Sequence, residues 1–497
     1  MKENQKTYWK GIEQLTNEPS FVKNAEKEFP EYLPINENGE GSSNRRDFLK
    51  LMGFGIAAAS LAACEAPVRK AIPYLNKPVD VDPSIPNYYA STYVNGGDAV
   101  SVVVKTREGR PIKIEGNKFS SMTKGGTNAQ VEASVLSLYD KERLVGPKKA
   151  GSKTDWDTLD KEVIAKLNEI SAKGGQIRIV SNSVLSPTTK RAIGEFSTTY
   201  PTAQHVSYDS SSAYGISEGN RRSFGTSMVP SYDFSKAKTI VSVGADFLGT
   251  WISPIEFTKQ YSQTRKISAE HREMSRHYQF ESNLSLTGAN ADYRTGIRPS
   301  QVGPLVAAIY NGIAAKAGQE KVNGGNAGDV AHLNSVINEL WTNRGAGLLV
   351  SGSNDPVVQV LVNGINTMLG NYGATINVNA PLHFRQGDDQ AMSSFVKDVN
   401  AGLVSAVVFF NCNPVYDSVE GKALQAGLSK VGLKVSTSDR MDETAALVDY
   451  IAPDHHYLEQ WNDVEIRTGH FSLVQPTIAP IFDTRQAPET FLKWSGK

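Results

Sequence analysis

The sequence predicts an α/β fold, and two observations carry that prediction. Short apolar runs alternate with helical patterns along most of the chain: Ile177 to Ser181, Ala203 to Tyr208, Thr239 to Val243, Gly347 to Ser351, Thr375 to Val378, Ala406 to Phe410, Leu433 to Thr437 and Leu447 to Ala452. Several of these runs are apolar on both faces, as parallel strands covered by helices must be. The body is therefore expected to hold two Rossmann-like units. Ahead of it, Val100 to Lys105 and Arg110 to Glu115 alternate apolar and polar residues around Arg107-Glu108-Gly109, the pattern of a β-hairpin. A helix should follow, capped by Asn128 and carrying Val131, Val135, Leu136 and Leu138 at helical spacing.

Composition narrows the functional classes. The 497 residues contain 52 basic and 52 acidic side chains, a balance that gives no support to nucleic-acid binding. That length suits two to four domains. Cys64 and Cys412 are the two cysteines, too few for a four-ligand zinc or iron–sulfur site or for a disulfide framework. No repeat of solenoid period is visible. The ending, Ala487 to Lys497, reads as the start of an amphipathic helix without a stop, so the polypeptide is expected to continue past Lys497.

Taken in order, residues 1 to 44 form a polar arm punctuated by Tyr8, Trp9, Phe21, Phe29 and Tyr32, either a disordered leader or a docking arm. Asn44-Arg45-Arg46-Asp47-Phe48-Leu49-Lys50 and the apolar run from Leu51 to Ala63 have the order of a twin-arginine export signal. The run falls short of the roughly 20 residues that span a bilayer. It closes on Leu61-Ala62-Ala63-Cys64, similar to a lipobox, which makes Arg45 and Arg46 the export signal and Cys64 a lipidation candidate. The alternative is a chance cysteine at the end of an Ala-rich helix. From Pro67 to Pro86 the chain reads as an extended linker.

Leu138-Tyr139-Asp140-Lys141-Glu142-Arg143, at the end of the segment that follows the hairpin, resembles the "LYDPxR" ending of the opening module of molybdopterin oxidoreductases. Active relatives often carry a four-iron cluster just before that hairpin. Here the position holds Tyr88, Tyr89, Ser91, Thr92 and Tyr93, and a cluster requires thiolates. Ser231 to Lys238, Gly244 to Trp251 and Glu281 to Asp292, with the export signal behind a long arm, sharpen the resemblance to the large iron–sulfur subunit of bacterial alternative complex III. It covers the chain from Tyr8 to Trp494 and matches the molybdopterin-oxidoreductase-like half of that subunit.

The resemblance implies a small β module plus two Rossmann-like units, one inserted in the other. Residues 1–64 would be arm and signal, and 65–120 the linker and hairpin module, completed by 453–497. Residues 121–170 and 345–452 would form the first Rossmann-like domain, and 171–344 the inserted one. It further implies a non-catalytic scaffold in a quinol-oxidising electron-transfer complex on the periplasmic face of the cytoplasmic membrane. The chain itself would hold no cofactor. Iron–sulfur clusters would lie in a ferredoxin-like continuation or partner, and haem c in monohaem and multihaem cytochrome subunits. Polytopic quinol-binding membrane subunits and a terminal oxidase complete the implied partners. Two other classes stay open: an exported molybdoenzyme with a bis-pterin cofactor and an atypical metal ligand, and a periplasmic small-ligand-binding protein.

Three strand-end segments are crevice candidates, because open α/β sheets bind ligands beyond the carboxyl ends of their strands. They contain Gly244 and Asp246, Gly352 and Asn354, and Asn413, and none is a GxGxxG fingerprint. In the resembling family their equivalents contact the pyrophosphates and guanines of the cofactor. The bland alternative is that they simply close strand-to-helix loops. Ser120, Ser121 and Asp140 are weak stand-ins for a molybdenum ligand. Cys412 reads as inert packing. His455 and His456, on adjacent and so opposed positions, read as surface or interface groups, and His271 and His277 as part of a solvated or partner-facing region.

Overall fold

The structure, a computed structural model, describes residues 85–269 and 272–497. Arg45, Arg46, Cys64, the aromatic arm and His271 lie outside the described residues. The described residues build four sheets. The first is antiparallel: β1 (Asn87–Asn95), β2 (Asp98–Arg107) and β3 (Arg110–Gly116). Glu108 and Gly109 both take positive φ, 51° and 74°, which is the twist-matched two-residue turn of a hairpin. β1 was not foreseen. Its Ser91 and Thr92 are buried because their hydroxyls donate to the Gln475 and Leu473 carbonyls, far along the chain. The helix Ala129–Leu138 follows, with the Asn128 side chain accepting from the Val131 N–H as expected, although Leu136 points outward.

The largest sheet has seven strands: β4 (Lys148–Lys149), β5 (Ser152–Lys153), β6 (Gln176–Ser181), β7 (Ala203–Ser207), β14 (Val404–Phe410), β15 (Leu433–Ser436) and β16 (Tyr450–Ile451). They stand in the order β5-β4-β16-β15-β14-β6-β7, and the five from β16 to β7 run parallel. Ile177, Ile179, Ala406 and Val408 face one core with Phe196, Phe491 and Trp494, while Val180, Val407 and Phe409 face another with Phe395 and Leu424. Helices on both faces explain why these runs are apolar throughout.

Between β7 and β14 in sequence lies a second parallel sheet, made of β9 (Thr239–Val243), β10 (Arg276–Glu281), β11 (Tyr293–Gly296) and β12 (Gly347–Ser351) in the order β11-β10-β9-β12. The last sheet is antiparallel, built from β8 (Val229–Tyr232), β13 (Ile376–Leu382), β17 (Asn462–Arg467) and β18 (His470–Val474) in the order β18-β17-β13-β8.

These pairings redraw the sequence-based boundaries. β6 and β7, assigned above to the inserted unit 171–344, belong with β14 to β16, and β12, assigned to 345–452, pairs with β9. The 453–497 segment is also divided: β17 and β18 join β13 and β8, with β18 packing on β1 of the opening module, and the helix Ala487–Trp494 packs on the seven-stranded sheet's helices. Strands apolar on both faces carry no label for their partner, so sequence could not sort them. Among the described residues no helix is long and apolar enough to cross a membrane.

Arg143, the last residue of the Leu138–Arg143 motif, is fully buried and forks onto Glu459 at 3.2 and 2.6 Å, with a further bond to the Leu138 carbonyl. Glu459 in turn accepts from the His456 and Ile481 N–H groups. This pair ties the opening helix to the C-terminal segment.

Candidate functional site: two crevices at the strand switch points

In the seven-stranded sheet, the chain leaves β6 toward β7 on one side and later adds β14 on the other. Such a reversal opens a crevice beyond the strand ends. Here it is a cavity of about 590 Å³ lined by Asn182 after β6, Asn411 to Asn413 after β14, Ser438, Asp439, Arg440 and Asp442 after β15 and Asp454 to Tyr457 after β16. A smaller cavity of about 170 Å³ adjoins it, sharing Asn182, Asn411, Asp454 and Tyr457. The opening helix contributes Ser134 and Ser137, and β1 contributes Tyr93 and Asn95.

The polar groups of this crevice hold each other. Asn411 takes a φ of 46°, a left-handed conformation that Asn tolerates, and donates to Asp454 while accepting from Thr437. The other Asp454 oxygen accepts from the His455 and Ala487 N–H groups. Complete burial pushes the Asp454 carboxyl up to about 6, against the lowering effect of these bonds. Asn413 accepts from Thr444 and donates to Glu443 at 2.6 Å, so it braces a loop. Asp417 accepts from the Tyr208 hydroxyl at 2.7 Å, and burial raises its carboxyl. Asp442 accepts from Ser438 and the Ala445 N–H. Arg440 donates to Asp439 and Asp140.

The histidines depart from expectation. His456 is buried, its Nδ1 accepting from the Leu458 N–H and its Nε2 meeting the Ser137 hydroxyl; burial first, then Arg143 nearby, lowers it to about 4. His455 points the other way, to Thr484. His277, read above as solvated or partner-facing, is enclosed between Phe247 and Tyr261 and pushed down to about 4 by burial. Cys412 is buried, donates to the Val180 carbonyl at 3.2 Å, and has its thiol raised well above the ordinary value by desolvation.

The parallel four-stranded sheet has its own reversal, between β9 and β12. A narrow crevice of about 60 Å³ lies there, lined by Thr250 to Ile252, Gly352 to Asn354 and Arg385. Gly352 passes so close to Gly244 that a Cβ would lie 2.2 Å from the Gly244 carbonyl oxygen. Asp246 accepts from the Thr287 N–H and hydroxyl. Asn354 accepts from the Gly215 N–H and donates to Asp389. Four of the five sequence candidates thus gather around this crevice and Asn413 sits in the other. Asp417, Asp439 and Asp442, which dominate the larger one, were not singled out, because lone aspartates in loops carry no pattern.

No family model matches the chain. A curated relative, the molybdopterin-binding-like subunit of menaquinone reductase from Nitratidesulfovibrio vulgaris, is 23% identical over 452 residues, covering 80% of this chain. The chain spans 63% of that relative's length. Among solved structures, acetylene hydratase from Pelobacter acetylenicus matches 82% of this chain and 69% of its own with a TM-score of 0.64 at 11% identity. The chain shares the fold of that solved structure.

The resemblance drawn from the sequence implies a pterin dinucleotide, and the residues of the large crevice do not fit one. A diphosphate needs cations or free N–H donors. Four carboxyl groups, Asp417, Asp439, Asp442 and Asp454, line the cavity against a single guanidinium, Arg440, already bound to two aspartates. The Cys412 thiol faces a backbone carbonyl inside the core. Ser120 and Asp140 are likewise engaged, with the Thr123 N–H and Arg440.

Proposed function

We propose that this chain is a non-catalytic molybdopterin-oxidoreductase-like scaffold of a quinol-oxidising respiratory complex of the alternative complex III type, without a molybdenum cofactor or an iron–sulfur cluster of its own. One observation carries the reading: carboxylates stand at the switch-point crevice where a diphosphate would need donors. A fold outlives its chemistry, so function follows the site. The menaquinone reductase relative supports a respiratory setting. In that setting the partners are polytopic quinol-binding membrane subunits, cytochromes c and a ferredoxin-like iron–sulfur domain. The place is the periplasmic face of the cytoplasmic membrane, reached through Arg45 and Arg46, with Cys64 as a lipid tether.

The test is elemental analysis and oxidative pterin extraction of the purified chain. Molybdenum, tungsten, iron and pterin fluorescence should all be sub-stoichiometric. A stoichiometric metal, or a pterin fluorophore, would show an exported molybdoenzyme instead.

A further inference from the structure

We propose that the smaller cavity, beside the large crevice, is a binding site for a neutral polyol of the sugar class, one ring in size. The inference goes beyond the scaffold reading and does not depend on it. The cavity measures about 170 Å³, and roughly 150 Å³ is enough to hold one six-membered ring. Leu185, Phe410, Val464 and Val474 give it apolar walls that suit the C–H faces of such a ring. Charge narrows the class. Among the described residues no lysine or arginine lines the cavity, so an anion would find no counter-ion. Its two carboxyl groups are already filled, which leaves a cation little to gain. Asp463 accepts from the Ser186 hydroxyl at 2.6 Å and the Thr188 hydroxyl at 2.7 Å, and Asp454 from Asn411 and the His455 and Ala487 N–H groups.

The hydrogen-bonding capacity that remains is uncharged and of both kinds. Gln460 borders the cavity, and its side chain has no hydrogen-bond partner among the described residues, although its amide oxygen is buried. A buried oxygen without a donor is costly, and exchanging the amide's oxygen and nitrogen in place would orphan an N–H instead. Asn182 donates to the Tyr208 carbonyl, while its own oxygen meets no donor among the described residues. Asn462 accepts from Ser186 at 2.8 Å through its oxygen, which leaves its NH₂ group. Hydroxyl groups, which both donate and accept, answer this mixed set; a carboxylate cannot donate and an ammonium cannot accept. Asn182 follows β6 whereas Gln460 and Asn462 lead into β17, so the open groups reach the cavity from separate segments.

Saturation-transfer difference NMR on the full chain tests this, with D-glucose and D-ribose as probes and D-gluconate and D-glucosamine as their charged counterparts. Transfer to the ring protons of glucose or ribose is expected, and none to the charged pair. Gln460→Leu should weaken binding about fivefold, the loss of one hydrogen bond, while leaving the urea midpoint unchanged or raised because an unpartnered buried oxygen is gone. Asn462→Asp keeps the oxygen that Ser186 uses, removes the NH₂ group and should weaken binding as well. No transfer from either sugar, affinity equal to the unaltered chain in both variants, equal transfer to gluconate, or a crystal at saturating sugar with ordered water alone in the cavity would overturn the site. Pterin or metal in the chain would instead overturn the scaffold reading, so the two failures are separate.

Discussion

At the scale of single residues, Asp454 and His456 sit two positions apart and titrate in opposite senses. Asp454, moved from 3.8 to about 6 by burial, prefers its neutral form in the fold. It stabilises the protein fully below its unfolded value, and that contribution fades as pH rises through 6. His456 and His277, moved from 6.5 to about 4 by burial, also prefer the neutral form. Their contribution is complete above pH 6.5 and is lost as pH falls toward 4. Two histidines oppose one carboxyl, and each tenfold change in a group's proton affinity on folding is worth about 1.4 kcal/mol, so acidification from pH 6.5 to 4 should lower the urea midpoint. Asp454→Asn keeps an acceptor for the backbone N–H groups, removes the opposing titration and should steepen the decline; a midpoint that rises on acidification contradicts the assignment.

At the scale of elements, two contacts set how segments meet. Gly352 lets the β12 loop lie on the β9 loop, and the atom a Cβ would strike is a backbone oxygen that cannot rotate away. Gly352→Ala should therefore cost about 1–3 kcal/mol, as at other overpacked sites, read as a lowered urea midpoint; a loss below about 0.5 kcal/mol would show that the loops yield. Arg143 and Glu459 join the opening helix to the C-terminal segment, both side chains fully buried. Arg143→Ala strands a buried carboxylate and should destabilise by roughly 3–5 kcal/mol. Arg143→Met/Glu459→Met removes both charges and should cost less than Arg143→Ala; equal or greater loss would mean that the ion pair itself supplies the stability.

At the scale of the whole molecule, the proposed export and attachment rest on the signal-like segment around Arg45, Arg46 and Cys64. Twin-arginine export carries folded proteins, which suits a chain whose seven-stranded sheet joins residues from Lys148 to Ile451. Arg45→Lys/Arg46→Lys should leave precursor in the cytoplasm, seen by fractionation. Cys64→Ala should abolish lipid labelling and weaken membrane association, because each buried CH₂ contributes about 0.8 kcal/mol and protein contacts supply the remaining hold. Mass spectrometry of the mature protein decides the matter, since an intact Met1 would exclude a lipidated N-terminal cysteine.

The sequence by itself determined local structure wherever side chains of one kind line a segment. The runs Thr239 to Val243 and Gly347 to Ser351 coincide with β9 and β12 end to end, the hairpin turn falls at Glu108-Gly109, and Asn128 caps its helix. β10 escaped because Arg-His-Tyr-Gln-Phe-Glu looks solvated. Its polar groups are buried yet satisfied by one another and by neighbours, His277 by Tyr261, Gln279 by Glu281, and Glu281 by Arg294. Leu447 to Ala452 shrank to two strand residues because Ala445–Leu447 winds into a helical turn. Only the tertiary structure decided which strands share a sheet, since strands apolar on both faces specify burial but not a partner. It alone assembled the acidic crevice too, because Asp417, Asp439 and Asp454 follow three different strands, and their common field exists only once β14, β15 and β16 lie side by side.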